Sequence, residues 1–324
     1  MVKSLESIKE PIAEELKSFE KHFRKSMETS VPLLDRIMYY IVRRKGKQIR
    51  PMFVFLSAKV CGEVNNASYV ASSLIELLHT ATLVHDDVVD DAYERRGFFS
   101  VNALWKNKIA VLVGDYLFGQ GFLLALKHDE VHLLRILSGA VKRMSEGELL
   151  QLEKARRLDI KEDVYYEIIK GKTASLISAA CEAGAASTSD DMEVIERMRL
   201  FGEKIGVAFQ IRDDLFDFGS EDVGKPLGID IKEKKLTLPL IYALQKADRR
   251  KKRYILNLIR RHHDKKEKVA EVIEFVWQSG GIEYAREVML RYRKEAFELL
   301  HQFPETEARR ALEDLVLFVT ERKK

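Results

Sequence analysis

The segment IELLHTATLVHDDVVDD, residues 75–91, decides the fold. Its apolar residues recur at three- and four-residue intervals and cover most of the circumference, which predicts a helix at the centre of a bundle. Positions four apart share a helix face, so Asp86 stacks over Asp90 and Asp87 over Asp91. A solvated charge run would carry such a cluster on the surface. Here Leu83, Val84, Val88 and Val89 surround the carboxylates and push some of them toward a low-dielectric core, where they need a cationic partner.

Residues 201–218, FGEKIGVAFQIRDDLFDF, predict a second central helix with the same spacing: Asp213, Asp214 and Asp217 lie among Phe209, Ile211, Leu215, Phe216 and Phe218. These are hard oxygen donors without a Cys or His-x-x-x-His partner set, so magnesium is the expected ion. Magnesium commonly bridges one or two carboxylates to substrate phosphates, which implies a diphosphate substrate. Basic residues fit that substrate: Lys47 and Arg50 in GKQIRP, Arg95 and Arg96 behind the first cluster, Lys172 in KGKTAS, and Lys225 and Lys235 further on. No GxxxxGK[ST] loop and no glycine-rich dinucleotide turn occurs, which disfavours nucleotide enzymes.

Working outward, 6 prolines and 17 glycines leave long uninterrupted helical patterns in 324 residues. Helices are predicted at 6–27, 31–44, 48–61, 67–91, 101–107, 110–127, 130–155, 162–184, 191–218, 236–246, 250–261, 265–278, 282–301 and 306–321. No segment carries the alternation and turn signals of a sheet. The fold class is therefore all-α, a single-domain helical bundle over 1–324 with a central cavity, without internal repeats or linkers. The stretch GSEDVGKPLGIDIKEKK, 219–235, is longer than ordinary connections and has the length of a lid or binding loop.

Composition bounds the rest. Lys plus Arg is 55 against 51 Asp plus Glu, a net charge of +4, too balanced for a nucleic-acid footprint over the whole surface; any function of charge lies in local clusters. The N-terminus has no apolar signal region and no later run reaches some eighteen charge-free apolar residues, so a cytoplasmic protein with no transmembrane segment is expected. Cys61 and Cys181 lie among apolar or small neighbours and fit buried thiols rather than a disulfide scaffold.

GKQIRP, LLHTATLVHDDVVDDAYERRG, GDYL at 114–117, GKTAS, FQIRDDLFDF and GKPLGIDIKEKKLTLP together resemble the trans-isoprenyl diphosphate synthases, over roughly residues 40–320. The resemblance implies the isoprenoid synthase fold and a homodimer, in which helix 110–127 is either core or interface. It implies that Asp86, Asp87, Asp90, Asp213, Asp214 and Asp217 hold three magnesium ions on an allylic diphosphate, with Asp91 as a helper. Lys47, Arg50, His79 and Arg96 fall where the family binds isopentenyl diphosphate. Arg95, Lys172, Lys225 and Lys235 fall where it contacts the allylic diphosphate, and Thr173 and Gln210 where it faces the developing allylic cation. His79 alone would pass for a satisfied histidine in a helix interior. Two departures are visible: Lys234 stands where many relatives have Gly, and RRGFFS lacks a proline often seen after RRG.

The implied reaction is ionisation of the allylic diphosphate, attack by the double bond of isopentenyl diphosphate, and proton loss. The alternatives are a geranylgeranyl-length-only synthase, a class I terpene cyclase and a non-catalytic partner subunit; GKQIRP, RRG and two complete aspartate clusters count against the last two. Short-chain family members often place an aromatic residue four or five positions before the first aspartate. Here Thr82 and Ala81 are small, so the next floor candidates are Leu77, Leu78 and Leu74 with Leu137 opposite, and a product of geranylgeranyl length or longer, of the quinone side-chain type, is expected.

Overall fold

The computed structural model describes residues 3–43, 46–95, 97–219 and 227–321. In chain order its helices are α1 (Leu5–Lys9), α2 (Ala13–Ser26), α3 (Pro32–Arg43), α4 (Ile49–Cys61), α5 (Asn66–Val89), α6 (Val101–Lys127), α7 (Val131–Arg157) and α8 (Glu162–Ile169). They continue as α9 (Ser175–Ala186), α10 (Met192–Phe216), α11 (Ile229–Lys232), α12 (Leu238–Lys246), α13 (Arg249–Arg261), α14 (Lys266–Gln278), α15 (Gly281–Leu300) and α16 (Glu307–Glu321). The fold is all-α, as the sequence pattern requires. A two-residue hairpin, Glu94–Arg95 against Phe98–Phe99, is a feature the pattern does not announce.

The bundle is built around α4, α5, α9 and α10. α4 packs against α9 and α5, α10 against α9 and α15, and α5 against α6. α4 and α9 are buried along nearly their whole length, and an apolar cluster including Phe53, Phe55, Leu74 and Phe201 fills the space among these elements. Local chemistry fixes where the central helices begin. Asn65 and Ser68 form a reciprocal capping box at the start of α5, and the Asp191 side chain accepts from the Glu193 and Val194 amides at the start of α10.

Several predicted boundaries change for identifiable reasons. The helix expected over 67–91 ends at Val89, because Asp91 takes φ +47° and Ala92 N–H reaches back to Asp87 O at 2.9 Å while Asp91 N–H bonds Val88 O. This is a left-handed helix-ending turn, so the stacking of Asp87 over Asp91 does not form. The helix expected over 162–184 is α8, one π-helical turn at Lys170–Ala174, and α9. Helices 101–107 and 110–127 are one element, α6, kinked at Lys106. Pro11 interrupts 6–27 with a 3-10 turn, Glu10–Ile12. In the 219–235 stretch, α11 follows Gly228, and Lys234, at the position where glycine was the family pattern, adopts φ +59°. Residues 220–226 lie outside the described residues.

The two cysteines are free, with burial pushing both thiols up to about 12. α5 and α6 are each long and apolar enough to cross a membrane by length and composition. Glu76 and Asp115 interrupt their apolar runs, so a charge-free criterion passes over both. α5 is mostly buried in the bundle, whereas only 33% of the apolar window of α6 is covered.

Candidate active site

The two aspartate motifs sit at the C-terminal ends of α5 and α10, and the helical turn sorts their members. Asp86 and Asp90 lie along one side of the end of α5, and Asp213 and Asp217 along one side of the end of α10; Asp90 and Asp217 are the residues at which those helices stop. The second aspartate of each motif points elsewhere. Asp87 is 5% exposed, its Oδ1 accepts from Arg95 Nε at 2.6 Å, and its backbone carbonyl accepts from Asn102 Nδ2 at 3.0 Å. Asp214 is 3% exposed, with Oδ2 accepting from the Tyr165 hydroxyl at 2.6 Å and Oδ1 from Gln210 Nε2 at 2.9 Å.

That second network continues. The Thr173 hydroxyl donates to Gln210 Oε1 at 2.6 Å. Because Asp214 accepts from the amide nitrogen, the Gln210 oxygen is turned toward Thr173, and the chain Tyr165, Asp214, Gln210, Thr173 presents acceptor oxygens at its far end. Such a surface suits a developing positive charge. The π-helical turn carries Lys172 and Thr173, and such turns recur at functional sites. α7 crosses it backbone to backbone: a Cβ on Gly147 would lie 2.7 Å from Lys172 N, and one on Gly171 would lie 2.8 Å from Arg143 O.

The second motif is joined to the described part of the 219–235 stretch. Asp217 accepts from the Ile229 and Asp230 amides at 2.7 and 3.1 Å, and Gly228 N–H donates to its backbone carbonyl. Asp230, beside it, is pushed up to about 7 by burial and by Asp217. Burial also raises Asp86, against the pull of Lys172 and with the push of Glu148 and Asp90; it raises Asp217 in spite of its backbone donors. Asp214 is raised well above the carboxylate range by burial and by Asp230. For Lys235, burial works against the ammonium, but Glu233 at 2.5 Å, Asp230 and Asp90 outweigh it and raise it. Lys235 thus lies in the field of the first motif, through Asp90, and of Asp230 beside the second.

Carboxylates whose charged form is disfavoured by burial and by one another make a site short of positive charge. Among the described residues no group of three or more His, Cys, Asp or Glu side chains could hold a metal ion alone. The donor set therefore fits magnesium shared with a diphosphate, one or two carboxylates to each ion, rather than a cage made by protein alone.

The basic residues divide. Lys172 pairs with Glu148 at 2.5 Å and acts on Asp86. Arg95 is engaged with Asp87, and Lys47 is exposed, its Nζ over the Phe318 ring at 5.4 Å. Arg50 is half-buried in the first turn of α4, and His79 half-buried on the adjoining α5. Arg96 and Lys225 lie outside the described residues. Sequence reasoning passes over Tyr165, Glu148 and Asp230. Only Asp230 had a signal, as an acid inside GKPLGIDIKEKK.

About two to three helical turns before Asp86, apolar space opens beside α5. Leu74, Leu78, Gly121, Phe122, Leu134 and Leu137 line a cavity of about 110 Å³ between α5, α6 and α7. Asp86, Thr82 and Leu78 succeed one another at four-residue steps, each turned by about 40° from the last, so Thr82 lies between Asp86 and the cavity's Leu78 along the helix. Ala81 and Leu77 are fully buried in a different cluster, with Ala110, Val113 and Leu117 of α6. Of the two small residues it is therefore Thr82, its hydroxyl donating to His79 O at 2.9 Å, that lies on the run from Asp86 toward the cavity.

Fold and site together describe an all-helical protein with two aspartate motifs and an apolar cavity between α5, α6 and α7. The family model described as Polyprenyl synthetase matches residues 31–276. The all-trans-nonaprenyl-diphosphate synthase (geranyl-diphosphate specific) of Rhodobacter capsulatus is 37% identical over 317 residues, 96% of each chain. The short chain isoprenyl diphosphate synthase of Methanothermobacter thermautotrophicus is 36% identical over 312 residues, covering 94% of this chain and 95% of its own. The crystal structure of a polyprenyl synthase from Caulobacter crescentus, complexed with calcium and isoprenyl diphosphate, superposes with TM-score 0.91 at 32% identity, covering 100% of this chain and 99% of that one. The chain belongs to the polyprenyl synthetase family and is a prenyltransferase of the isoprenoid synthase fold.

Proposed function

We propose that the protein condenses isopentenyl diphosphate with an allylic prenyl diphosphate, head to tail and in trans, to make a linear polyprenyl diphosphate of geranylgeranyl length or longer, with a long-chain product of the quinone side-chain type favoured. The observation that carries this reading is the succession of Asp86, Thr82 and Leu78 along α5 toward the apolar cavity at Leu74, Leu78 and Leu137. A chain whose diphosphate is held at Asp86 and Asp90 runs past Thr82 into that space without meeting an aromatic side chain on α5. Each helical turn adds ~5.4 Å of depth, about one extended isoprene unit.

Asp86, Asp90, Asp213 and Asp217 are the residues that would hold magnesium, as three ions with the diphosphate. Bound there, magnesium neutralises charge on the leaving diphosphate. Lys172 and Lys235, with Arg95 and Lys225, hold the same group. The C1–O bond of the allylic substrate breaks with its electrons leaving on the diphosphate, and the oxygens of Thr173 and Gln210 face the resulting cation. Lys47, Arg50, His79 and Arg96 hold isopentenyl diphosphate so that its double bond attacks C1. The proton lost from the new chain passes to the departing diphosphate, so no protein nucleophile is required. Asp87 and Asp214 act from behind as buried anchors.

The chain is taken as one domain, cytoplasmic, and a homodimer. Leu112, Leu123 and Leu126 stand exposed on α6, an apolar face of the kind a second copy covers; light scattering reads the dimer directly. To test the reaction, the protein is incubated with labelled isopentenyl diphosphate and geranyl or farnesyl diphosphate, and dephosphorylated products are separated by chromatography. Labelled alcohols of geranylgeraniol length or longer are the expected result. Cyclic hydrocarbon without label incorporation would establish the cyclase instead, and no turnover in excess magnesium the non-catalytic subunit.

A further inference from the structure

The chain's positive charge is concentrated at one place outside the active site. Residues 246–268 hold eleven Lys or Arg against three Asp or Glu, while the whole chain carries only +4. The segment is α13 and the start of α14. Ile255, Leu258 and Ile259 seat α13 in the core, and Arg249, Arg250, Lys252, Arg253, Arg260 and Arg261 all stand exposed on its outer side. Among the described residues none of these six is paired with a carboxylate.

This arrangement works against the helix that carries it. Basic residues fill the first turn of α13, where the macrodipole favours acids, and the Asp248 cap is its one local compensation. Arg249 and Arg253 are like charges four apart, an unfavourable pair. Arg260 and Arg261 in the last turn suit the macrodipole, but the basic first turn does nothing for the helix, which points to a partner outside the chain.

The basic surface also adjoins the active-site mouth. Gly228, which donates to Asp217 O, packs so tightly on α14 that a Cβ there would lie 2.2 Å from Val269 Cγ1, one residue after Lys268. Trp277 of α14 donates through Nε1 to Phe218 O at 3.0 Å, next to the second aspartate motif. An extended sheet of negative charge lying against α13 would therefore pass beside the place where an amphiphilic prenyl diphosphate leaves.

We infer that the exposed face of α13 with the start of α14 is a docking surface for an anionic phospholipid bilayer, which places the active-site mouth at the membrane surface. Clusters of four to eight Lys or Arg are of the size that negative leaflets attract. Tyr254 is exposed among these charges, and the basic residues far outnumber it, so the association is mainly electrostatic and reversible.

The test is flotation of the full-length protein with vesicles of phosphatidylcholine alone or mixed with phosphatidylglycerol, which requires no catalysis and so stands apart from the proposed reaction. Binding is expected to the mixed vesicles only. It should fall steeply as salt rises from about 0.1 M to about 1 M, where the Debye length shrinks from ~10 to ~3 Å. The combined change Arg250→Gln, Lys252→Gln, Arg253→Gln and Arg260→Gln should reduce partitioning by roughly tenfold or more, with the rate of a single condensation in solution unchanged. Equal flotation of wild type and variant, equal binding to neutral vesicles, or no binding to either would overturn the inference. Tighter binding to duplex DNA than to anionic vesicles at the same salt would overturn it in favour of a nucleic-acid surface.

Discussion

Replacing Tyr165 by Phe removes one atom from the network behind the second motif and leaves the ring packing, including its edge contact with Tyr166, in place. The lost hydroxyl donates to Asp214 at 2.6 Å, and burial and Asp230 keep that carboxyl above its usual range. In the metal-free protein the change removes one hydrogen bond, about 1 kcal/mol of stability, which for a chain of this length lowers Tm by only a degree or two. During reaction the demand is larger. Without Tyr165, Asp214 is held only by Gln210, and the amide whose oxygen faces Thr173 loses the anchor that sets its orientation. One misoriented hydrogen-bonding dipole at a developing charge corresponds to about 1.5–3 kcal/mol, or roughly ten- to a hundredfold in rate. Single-turnover measurement of the first condensation should show that loss in kcat, with KM for both diphosphates and the magnesium concentration for half-activity within about twofold of wild type. An unchanged kcat alongside the small fall in Tm would refute the orientation argument. A raised magnesium requirement would show that Asp214 serves the metal instead.

Asp213→Asn and Asp86→Asn should lower turnover by orders of magnitude and abolish the thermal stabilisation that magnesium with inorganic pyrophosphate gives the wild type. Asp214→Asn should keep that stabilisation, and its loss would return Asp214 to the metal-ligand set. Thr82→Phe should shorten the product while sparing the first condensation, read by chromatography of dephosphorylated products, whereas Ala81→Phe should act mainly by disturbing the contact with α6 and lowering Tm. The metal-free protein should grow more stable as pH falls. Asp230, with a folded value of about 7 against an ordinary 3.8, binds its proton more tightly when folded; the contribution is complete below the ordinary value and is lost as pH rises through about 7. Asp230→Asn should flatten the Tm-against-pH profile over that window, and an unaltered slope would remove Asp230 as its source.

The sequence alone determined the class of fold and the chemistry. Three- and four-residue periodicity is local, so the helices and their apolar circumference are written in consecutive residues, and the spacing of Asp86 with Asp90 and Asp213 with Asp217 already puts each pair on one side of a helix. What it left open depends on contacts between distant segments. The end of α5 is set by Asp91 adopting a left-handed conformation, which carries the chain into the hairpin that brings Arg95 back to Asp87. The inward turn of Asp214 depends on Tyr165, 49 residues earlier in the chain, and no local pattern sets that tyrosine apart from a core aromatic. Thr82 and Ala81 are neighbours of similar size, yet a helix rotates successive side chains by about 100°, so one shares the Asp86 face and the other seals α6. Asp230 was visible as a residue and not as a charge, because only its burial beside Asp217 gives it an altered affinity for protons. Composition limited the net charge, and tertiary structure decided that the basic residues of α13 stand together on one face, since the apolar side of that helix had only one core to enter.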